Sequence, residues 1–347
     1  MKEVRIIGAG LSGLTAGIIL ARDGHKVIIY DRQKGIGGSP NIHPSVHTTP
    51  AQLKELIEYT GINFTGQFVK SDPYPVFYYG KSRLTMPPYV RLNTAYCIER
   101  GARPSSMDNF LFTEAKNAGV EFEFDRNTNF STLPDGTIMA TGLDTHAYEK
   151  LGIPFKKVHG SWSWRERQSG RATAAMYMGS FSKEYSYTAE VNGLDYGLLF
   201  STHPVTAQDE TAFKKVLTAL GMGDYPEPWR HMSIAVPLSA QLTSGNCILA
   251  GTLSGMIEPF WGYGIVGAII SGRIAAKAVI DFREAERDFA LFTRGFQRKL
   301  MKRERFSAQP PLLREVFIKT ALMVVRLQCL WDKKLAGSPR EPVKWFR

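Results

Sequence analysis

The apolar pattern opens with a short run, Val4 to Ile7, that ends on glycine and predicts a buried strand. Leu14 to Arg22 follows with small and aliphatic residues, and Gly24 stops it, which predicts a helix with a glycine at its C-terminal end. Lys26 to Tyr30 is a second β-branched run, closed by Asp31. The first thirty residues therefore predict strand, glycine turn, helix, strand, acid.

Further along, residues 35 to 50 are rich in Gly, Pro, His, Ser and Thr and predict a long loop. Pro50 to Gly61 predicts a helix, and residues 64 to 96 alternate aromatic and polar positions as short strands do. Ser106 to Ala118 predicts a helix capped by Ser106, with strands at Val120 to Phe124 and Thr137 to Ala140. Gly160 to Pro204 is β-rich, and Ala207 to Leu220 is helical. Cys247 to Ala250 predicts a strand, Gly264 to Phe282 a long helix, and residues 286 to 305 a helix with Phe289, Phe292, Phe296 and Leu300 on one stripe. Pro310 and Pro311 break it, and residues 312 to 332 predict a last amphipathic helix.

The chemistry starts at Gly8-Ala9-Gly10-Leu11-Ser12-Gly13. In such a turn Gly8 permits the bend off the strand, Gly10 lets backbone approach a pyrophosphate, and Gly13 brings the helix against the sheet. The helix N-terminus offers unpaired N–H groups to phosphate, and Asp31 can accept from ribose hydroxyls. This fingerprint fits NAD or FAD.

Later residues choose between them. Asp31-Arg32 with Gly38 soon after resembles the start of FAD-dependent oxidoreductases. Arg100, Asp108, Leu111, Ala115 and Gly119 resemble the "R…D..L...A...G" stretch of the flavoproteins that include aromatic hydroxylases and geranylgeranyl reductases. Ala140-Thr141-Gly142 is similar to the "ATG" strand end of that class. The run from Gly251 to Gly255, then Glu258-Pro259-Phe260-Trp261-Gly262-Tyr263-Gly264-Ile265, resembles "GDAAG…DP..G.GI" of the geranylgeranyl reductase family. Asp195 to Phe200 resembles a strand of that family that reads "GYAWLFP". Thr252 stands where the family has aspartate, Tyr263 where it often has an acid, and the loop from Pro40 to His47 lacks its cysteine motif.

The resemblance implies an FAD enzyme that reduces isolated carbon–carbon double bonds of polyprenyl chains. It implies an α/β architecture: a Rossmann-like FAD-binding domain (1–48, 95–158 and 235–285), an inserted β-rich substrate domain (49–94 and 159–234) and a C-terminal helical segment (286–347). The expected FAD contacts are Gly8, Gly10, Leu11, Ser12, Gly13, Asp31, Arg32, Gly38, Arg100, Ala140, Thr141, Gly142, Gly251, Thr252, Gly262, Gly264 and Ile265. On physical grounds, the helix opening at Gly264 can aim N–H groups at the flavin N1 and C2 carbonyl.

Reduction of an alkene also needs a proton donor. His43 and His47 sit in the loop after the first βαβ unit and titrate near neutrality when unperturbed, so both are candidates, with Tyr263 as a third. Tyr196 and Trp261 are candidate substrate contacts, and Trp162, Trp164, Tyr177, Phe181, Tyr185 and Tyr187 are candidates for an apolar cavity. No cluster has metal-ligand spacing, and no GxSxG or cysteine–histidine motif occurs. With no second GxGxxG, electrons are expected from transiently docked NAD(P)H, another donor or substrate oxidation.

Charge adds one question. Net charge is +11, concentrated between Arg283 and Lys334. A basic amphipathic helix, with Leu313, Val316, Phe317, Thr320, Val324, Leu327 and Trp331 on one side, fits an anionic bilayer surface or the protein's own core. Peripheral membrane association through residues 286–334 is therefore one expectation, whereas no nucleic-acid module is recognised. Three scattered cysteines, Cys97, Cys247 and Cys329, and the lack of a signal-peptide pattern fit a cytoplasmic setting. The longest apolar run near the C-terminus, Ala321 to Val325, is too short to span a bilayer. The alternatives to a reductase are an FAD monooxygenase or dehydrogenase on the same scaffold, and a flavin-holding electron carrier or interaction protein without turnover.

Overall fold

A computed structural model describes residues 2–84, 94–179, 181–310, 312–320 and 323. Three sheets and a set of helices are laid out along them. The chain begins β1 (Glu3–Ile7), α1 (Leu11–Arg22), β2 (Lys26–Tyr30), β3 (Ser45–Pro50), α2 (Leu53–Thr60), β4 (Val69–Lys70), β5 (Val76–Tyr79) and β6 (Ser82–Leu84). It continues with β7 (Ala95–Arg100), α3 (Met107–Asn117), β8 (Glu121–Glu123), β9 (Ile138–Met139) and α4 (Thr145–Lys150). Four long strands follow, β10 (Phe155–Glu166), β11 (Thr173–Gly179), β12 (Ser182–Val191) and β13 (Leu194–Ser201). Then come α5 (Ala207–Ala219), β14 (Arg230–Pro237), β15 (Thr243–Ser244), β16 (Cys247–Leu249), a 3₁₀ turn at Gly251–Ser254, α6 (Ile265–Ile280), α7 (Phe282–Thr293) and α8 (Phe296–Ser307).

The first sheet runs β15-β16-β9-β1-β2-β8, parallel throughout except for the β15–β16 hairpin. Its centre is buried on both faces, with Ile6 and Ile7 of β1 in two different cores, as a covered parallel sheet requires, whereas Glu3, Arg5, Lys26 and Glu121 stay exposed at its margins. Helices α1 and α6 share one core with Val4, Ile6, Val27 and Ile29. They approach closely enough that a Cβ on Gly272 would stand 2.5 Å from the Ser12 carbonyl oxygen. This is a Rossmann-like layer with β1 central.

The second sheet, β14-β10-β13-β12-β11-β5-β6, is antiparallel apart from the β11–β5 pair. Between β9 and β16 the chain leaves the parallel sheet to build most of it. Alternation along its strands divides its residues between two cores. Met176, Tyr187, Tyr196, Leu198, Met232 and Ile234 face one way. Ala175, Tyr177, Phe181 and Leu199 face the other, under Phe213 and Leu217 of α5. A small sheet, β3-β7-β4, joins the two parts.

Several expectations change. Residues 45–50 are not loop but strand β3, whose six residues pair with β7 and so satisfy their backbone groups. The α2 segment, placed with the substrate domain, packs Leu56 together with Ile62, Phe64 and Phe68 against the Rossmann-like core. The helix expected over 286–305 is two helices, because Gly295 takes the left-handed conformation (φ 84°) and turns the chain. Along residues 312–320, Leu313, Val316 and Phe317 are exposed, whereas Arg314 is buried and Ile318 packs on the second sheet. The apolar side of that helix is thus not covered by the parts of the fold described. Val324, Leu327, Cys329 and Trp331, and the end of the strand-rich stretch at residues 85–93, lie outside the described residues. No helix among the described residues is long and apolar enough to cross a membrane.

Candidate functional site

One continuous cavity of about 750 Å³ runs between the parallel sheet and the apolar face of the second, antiparallel sheet. Its first wall is the glycine turn. Gly8 has φ 111°, and a Cβ there would stand 2.5 Å from the Ala140 carbonyl oxygen; on Gly13 it would stand 2.0 Å from the Gly8 carbonyl oxygen. Both positions therefore exclude side chains for reasons internal to the fold, and Gly13 itself does not reach the cavity. Gly10 is different. Its backbone is ordinary extended chain (φ −82°, ψ −178°), and a Cβ on it would meet nothing within 4 Å. Here glycine keeps open space in front of a helix end that has no side-chain cap and no acidic residue in its first turn. The free N–H groups of Leu11 and Ser12 suit an anion there.

Asp31 receives the Ala9 N–H on Oδ2 (2.7 Å) and the Gln33 N–H on Oδ1 (2.8 Å). It locks the turn while the carboxylate still lines the cavity, where its remaining lone pairs can accept ribose hydroxyls. Arg32 pairs with Asp144 at 3.0 Å. Beyond them Arg126, Asn127, Thr128, Phe130 and His146 close the end of the cleft. No pattern in the sequence singles out these five; they arrive from separate loops after β8 and β9. Thr141 Oγ1 is buried on the cavity wall and finds no hydrogen-bond partner among the described residues.

The late glycine turn meets the first one. A Cβ on Gly251 would stand 2.7 Å from Ser12 Oγ, and the Gly251 N–H donates to Ser271 Oγ of α6 at 2.6 Å. Thr252, Gly262, Tyr263, Gly264 and Ile265 line the cavity, as do Gly38, Ala140 and Gly142. Glu258 shapes this turn by accepting the N–H groups of Phe260 (3.0 Å) and Trp261 (2.6 Å), with Lys299 of α8 at 3.4 Å. Helix α6 then starts at Gly264 with no side-chain cap, so a second set of free N–H groups points into the same space. The donors, the orphaned Thr141 hydroxyl and the gap at Gly10 together fit a dinucleotide cofactor.

Arg100 holds Asp108 through two hydrogen bonds (2.7 and 2.9 Å), and the Gly101 N–H adds a third at 3.0 Å. Burial works to raise the Asp108 pKa, but the Arg100 charge and these bonds outweigh it and hold the carboxyl below its ordinary value. Arg100 lines the cavity beside His43 and His47.

The two histidines are connected. His43 Nδ1 lies 2.8 Å from Ser45 Oγ, and Ser45 Oγ lies 3.0 Å from His47 Nε2. His47 Nδ1 lies 3.3 Å from the Tyr187 hydroxyl. Burial, and then the nearby Arg100 charge, push both imidazoles down to about 3. The expectation that they titrate near neutrality is therefore corrected: at pH 7 both are neutral rings, and neither is an imidazolium acid. Tyr263 is also buried, which raises its phenol well above the ordinary value, and its hydroxyl lies 3.5 Å from Met176 Sδ.

The second wall is apolar and aromatic. Tyr185, Tyr187, Tyr196, Phe200, Met232 and Val236 come from strands β12, β13 and β14. Of the aromatic residues expected there, Tyr177 and Phe181 lie instead on the far face under α5, Tyr177 because its position on β11 has the opposite parity to Met176 and Phe181 from the turn between β11 and β12. Trp162 and Trp164 belong to the near-face core without reaching the cavity. Trp261, expected to touch substrate, turns away as well. Its ring packs on Phe260 (5.0 Å), Tyr185 (6.3 Å) and Phe77 (6.5 Å), and its carbonyl accepts from the Tyr185 hydroxyl. Arg303 of α8, buried and bonded to Glu184 at 2.6 Å, also reaches the cavity edge and was not anticipated.

Residues 6–56 match the NAD(P)-binding Rossmann-like domain family. A local match of 35% identity over 69 residues relates the chain to 4,4'-diaponeurosporene oxygenase of Staphylococcus aureus, covering 17% of this chain and 14% of that protein. Among solved structures, the fold superposes on a geranylgeranyl bacteriochlorophyll reductase-like protein from Thermoplasma acidophilum with a TM-score of 0.64, at 16% identity over 91% of both chains. It superposes on p-nitrophenol 4-monooxygenase from Pseudomonas putida with a TM-score of 0.65, at 14% identity over 98% of this chain and 100% of that one. Residues 6–56 thus resemble a Rossmann-like dinucleotide-binding unit, and the fold around them is shared with both of these solved structures.

Proposed function

We propose that the protein is an FAD-dependent oxidoreductase acting on an apolar substrate. One observation carries this reading: a single cavity joins two uncapped helix ends on its polar wall to an aromatic wall on the substrate sheet. In this proposal Gly8 to Ser12, Asp31, Arg32 and Thr141 to Gly142 hold the adenosine and pyrophosphate, and Thr252 and Gly262 to Ile265 hold the flavin end. Bound FAD would supply hydride or electron transfer. The chain's own part is to orient, to exclude water and to hold protons. Tyr185, Tyr187, Tyr196 and Phe200 give the substrate side apolar surface with a few hydroxyls, which favours a neutral, largely hydrocarbon ligand.

Within that class the reading we favour is reduction of carbon–carbon double bonds of an isoprenoid-type substrate, with electrons from transiently bound NAD(P)H or another donor. The Thermoplasma acidophilum neighbour supports it. A monooxygenase is the second reading, supported by the equally similar Pseudomonas putida enzyme and by the local match to an oxygenase of 4,4'-diaponeurosporene. The exposed Leu312, Leu313, Val316 and Phe317, on a C-terminal stretch that also carries exposed Lys302, Arg305 and Lys319, support docking on an anionic membrane, where such a substrate would reside.

The test is purification in the dark followed by an absorbance spectrum and incubation of the reduced protein with polyprenyl lipids and phenols, once anaerobically and once with oxygen admitted. Bound FAD and a saturated polyprenyl product support the first reading. Oxygen-dependent hydroxylation supports the second. A protein that takes up no FAD overturns both, and one that does not sediment with anionic vesicles overturns the membrane docking.

A further inference from the structure

We propose that His43, Ser45, His47 and Tyr187 form a two-state proton relay that carries a proton across the cavity, from the cofactor side to the substrate sheet, without any member becoming charged at rest. The inference rests on the function proposed above, since only a reaction at the cavity gives the delivered proton a use.

The geometry comes first. Ser45 and His47 share one face of strand β3 at alternate positions, His43 lies two residues before Ser45 in the segment that leads into the strand, and each of the three is within hydrogen-bond distance of the next (2.8 and 3.0 Å). Tyr187 of β12 extends the line by 3.3 Å from His47 Nδ1. The far end lies against the loop at Gly38, where a Cβ would stand 3.1 Å from His43 Nε2. Both histidines, Gly38 and Tyr187 line the cavity, and Ser45 is fully buried between them.

The donor count allows two arrangements. A neutral imidazole has one N–H and one lone pair, and a hydroxyl donates once. In the first state His43 Nδ1–H donates to Ser45, Ser45 donates to His47 Nε2, and His47 Nδ1–H donates to the Tyr187 oxygen. That leaves the Tyr187 proton for a ligand in the cavity. In the second state every bond is reversed: Tyr187 donates to His47 Nδ1, His47 Nε2–H to Ser45, Ser45 to His43 Nδ1, and His43 carries its proton on Nε2. When Tyr187 gives its proton to substrate, one proton shifts along each link and His43 Nε2 takes one from a solvent water, itself re-protonated from bulk. One proton enters, one leaves, and the chain ends in the second state.

The burial and the Arg100 charge that push both imidazoles down to about 3 support this, because they remove the charged forms that would stop such a chain. Tyr187 is a candidate catalytic residue; the other three are positioning residues that act through it.

Long-range ¹H–¹⁵N correlation spectra of histidine-labelled protein, recorded with and without added FAD at pH 7, test the relay. The expected result is a neutral ring at both positions with matched tautomers: His43 and His47 both protonated on Nδ1, or both on Nε2, or exchanging together. Ser45→Ala should uncouple them, and Tyr187→Phe should hold the proton of His47 on Nε2, since an Nδ1–H would lose the Tyr187 oxygen that accepts it while an Nε2–H keeps Ser45 as its acceptor. A doubly protonated ring, opposed tautomers in the parent protein, or a Ser45→Ala spectrum unchanged at both histidines would overturn the proposal. If either variant fails to fold, the tautomers of the parent protein decide by themselves. Because the flavin absorbance of the same sample reports FAD uptake, loss of the functional reading and loss of the relay are seen separately.

Discussion

The two walls of the cavity are built on opposite principles. The cofactor wall is made of backbone: glycines, two helix ends and one carboxylate that ties the turn down. The substrate wall is made of side chains projected from a twisted antiparallel sheet. A backbone wall tolerates few substitutions, because a Cβ at Gly8 or Gly251 would strike the fold itself and one at Gly10 would enter the ligand's space. A side-chain wall fixes volume and polarity only, so it can change its ligand while the sheet stays the same.

The largest expected effect breaks the cofactor wall. Gly8→Val adds branched carbon where even a Cβ stands 2.5 Å from a carbonyl oxygen, at a φ of 111°. Overpacking and backbone strain cost about 1–3 kcal/mol each, and flavin retention should fall to background. Gly10→Ala is the control. It meets nothing within 4 Å, so its melting curve should stay within about 1 kcal/mol of the parent. Its FAD affinity should still fall about tenfold, about 1.4 kcal/mol, if a pyrophosphate occupies that space. Unchanged affinity in a fluorescence titration would remove the phosphate from Gly10.

The next effect concerns the other wall. Val236 is half-buried and lines the cavity. Val236→Trp should keep flavin at the parental ratio and cut turnover of any accepted substrate at least about tenfold, because added volume removes ligand space rather than cofactor space. Loss of flavin in this variant would show that the two walls are not separable.

How much of this was legible in the sequence follows from the same contrast. The glycine turn, Asp31 and the late turn from Gly251 to Ile265 could be read because backbone geometry admits so few residue types. The far wall could be recognised as strand but not resolved into faces. Tyr185 and Tyr187 face the cavity, whereas Tyr177 and Phe181 lie under α5, and parity cannot be assigned without knowing which face a helix covers. Trp261 was misplaced for a related reason: it sits in a turn, next to Gly262, so the turn decides its direction, and Glu258 bends that turn by holding two successive N–H groups. The break at Gly295 was hidden because the aromatic stripe continues in register across it, and a helical period reports faces, not continuity. Arg126 to Thr128 carry no motif at all.

A smaller effect reads the histidines between the walls. Their folded pKa values lie below those of the unfolded chain, so between about pH 3 and 6.5 the unfolded state binds more protons. Stability is therefore complete above about pH 6.5 and falls as pH drops toward 3, by up to about 1.4 kcal/mol per pH unit for each histidine. Asp108, whose pKa is lowered, adds to the loss at still lower pH as its carboxylate becomes protonated. Urea titrations between pH 4 and 7 should show a steeper pH slope for the parent than for His47→Gln. Equal slopes would mean that His47 stays accessible to water.

The smallest effect separates the two faces of the substrate sheet. The Tyr177 hydroxyl lies 3.0 Å from Thr188 Oγ1, and its ring stacks on Tyr78 at 5.4 Å, both on the side turned away from the cavity. Tyr177→Phe keeps the ring and removes one buried hydrogen bond, so it should cost about 1 kcal/mol in a thermal melt. Flavin content and turnover should not change. Tyr187→Phe, ten residues on, removes one hydroxyl in the same way, but from the face that lines the cavity and contacts His47. Similar stability losses with different effects on turnover would place the chemistry on one face of the sheet. Equal effects on turnover would mean that the sheet acts on the reaction through its rigidity, and that the aromatic wall has no chemical role beyond its shape.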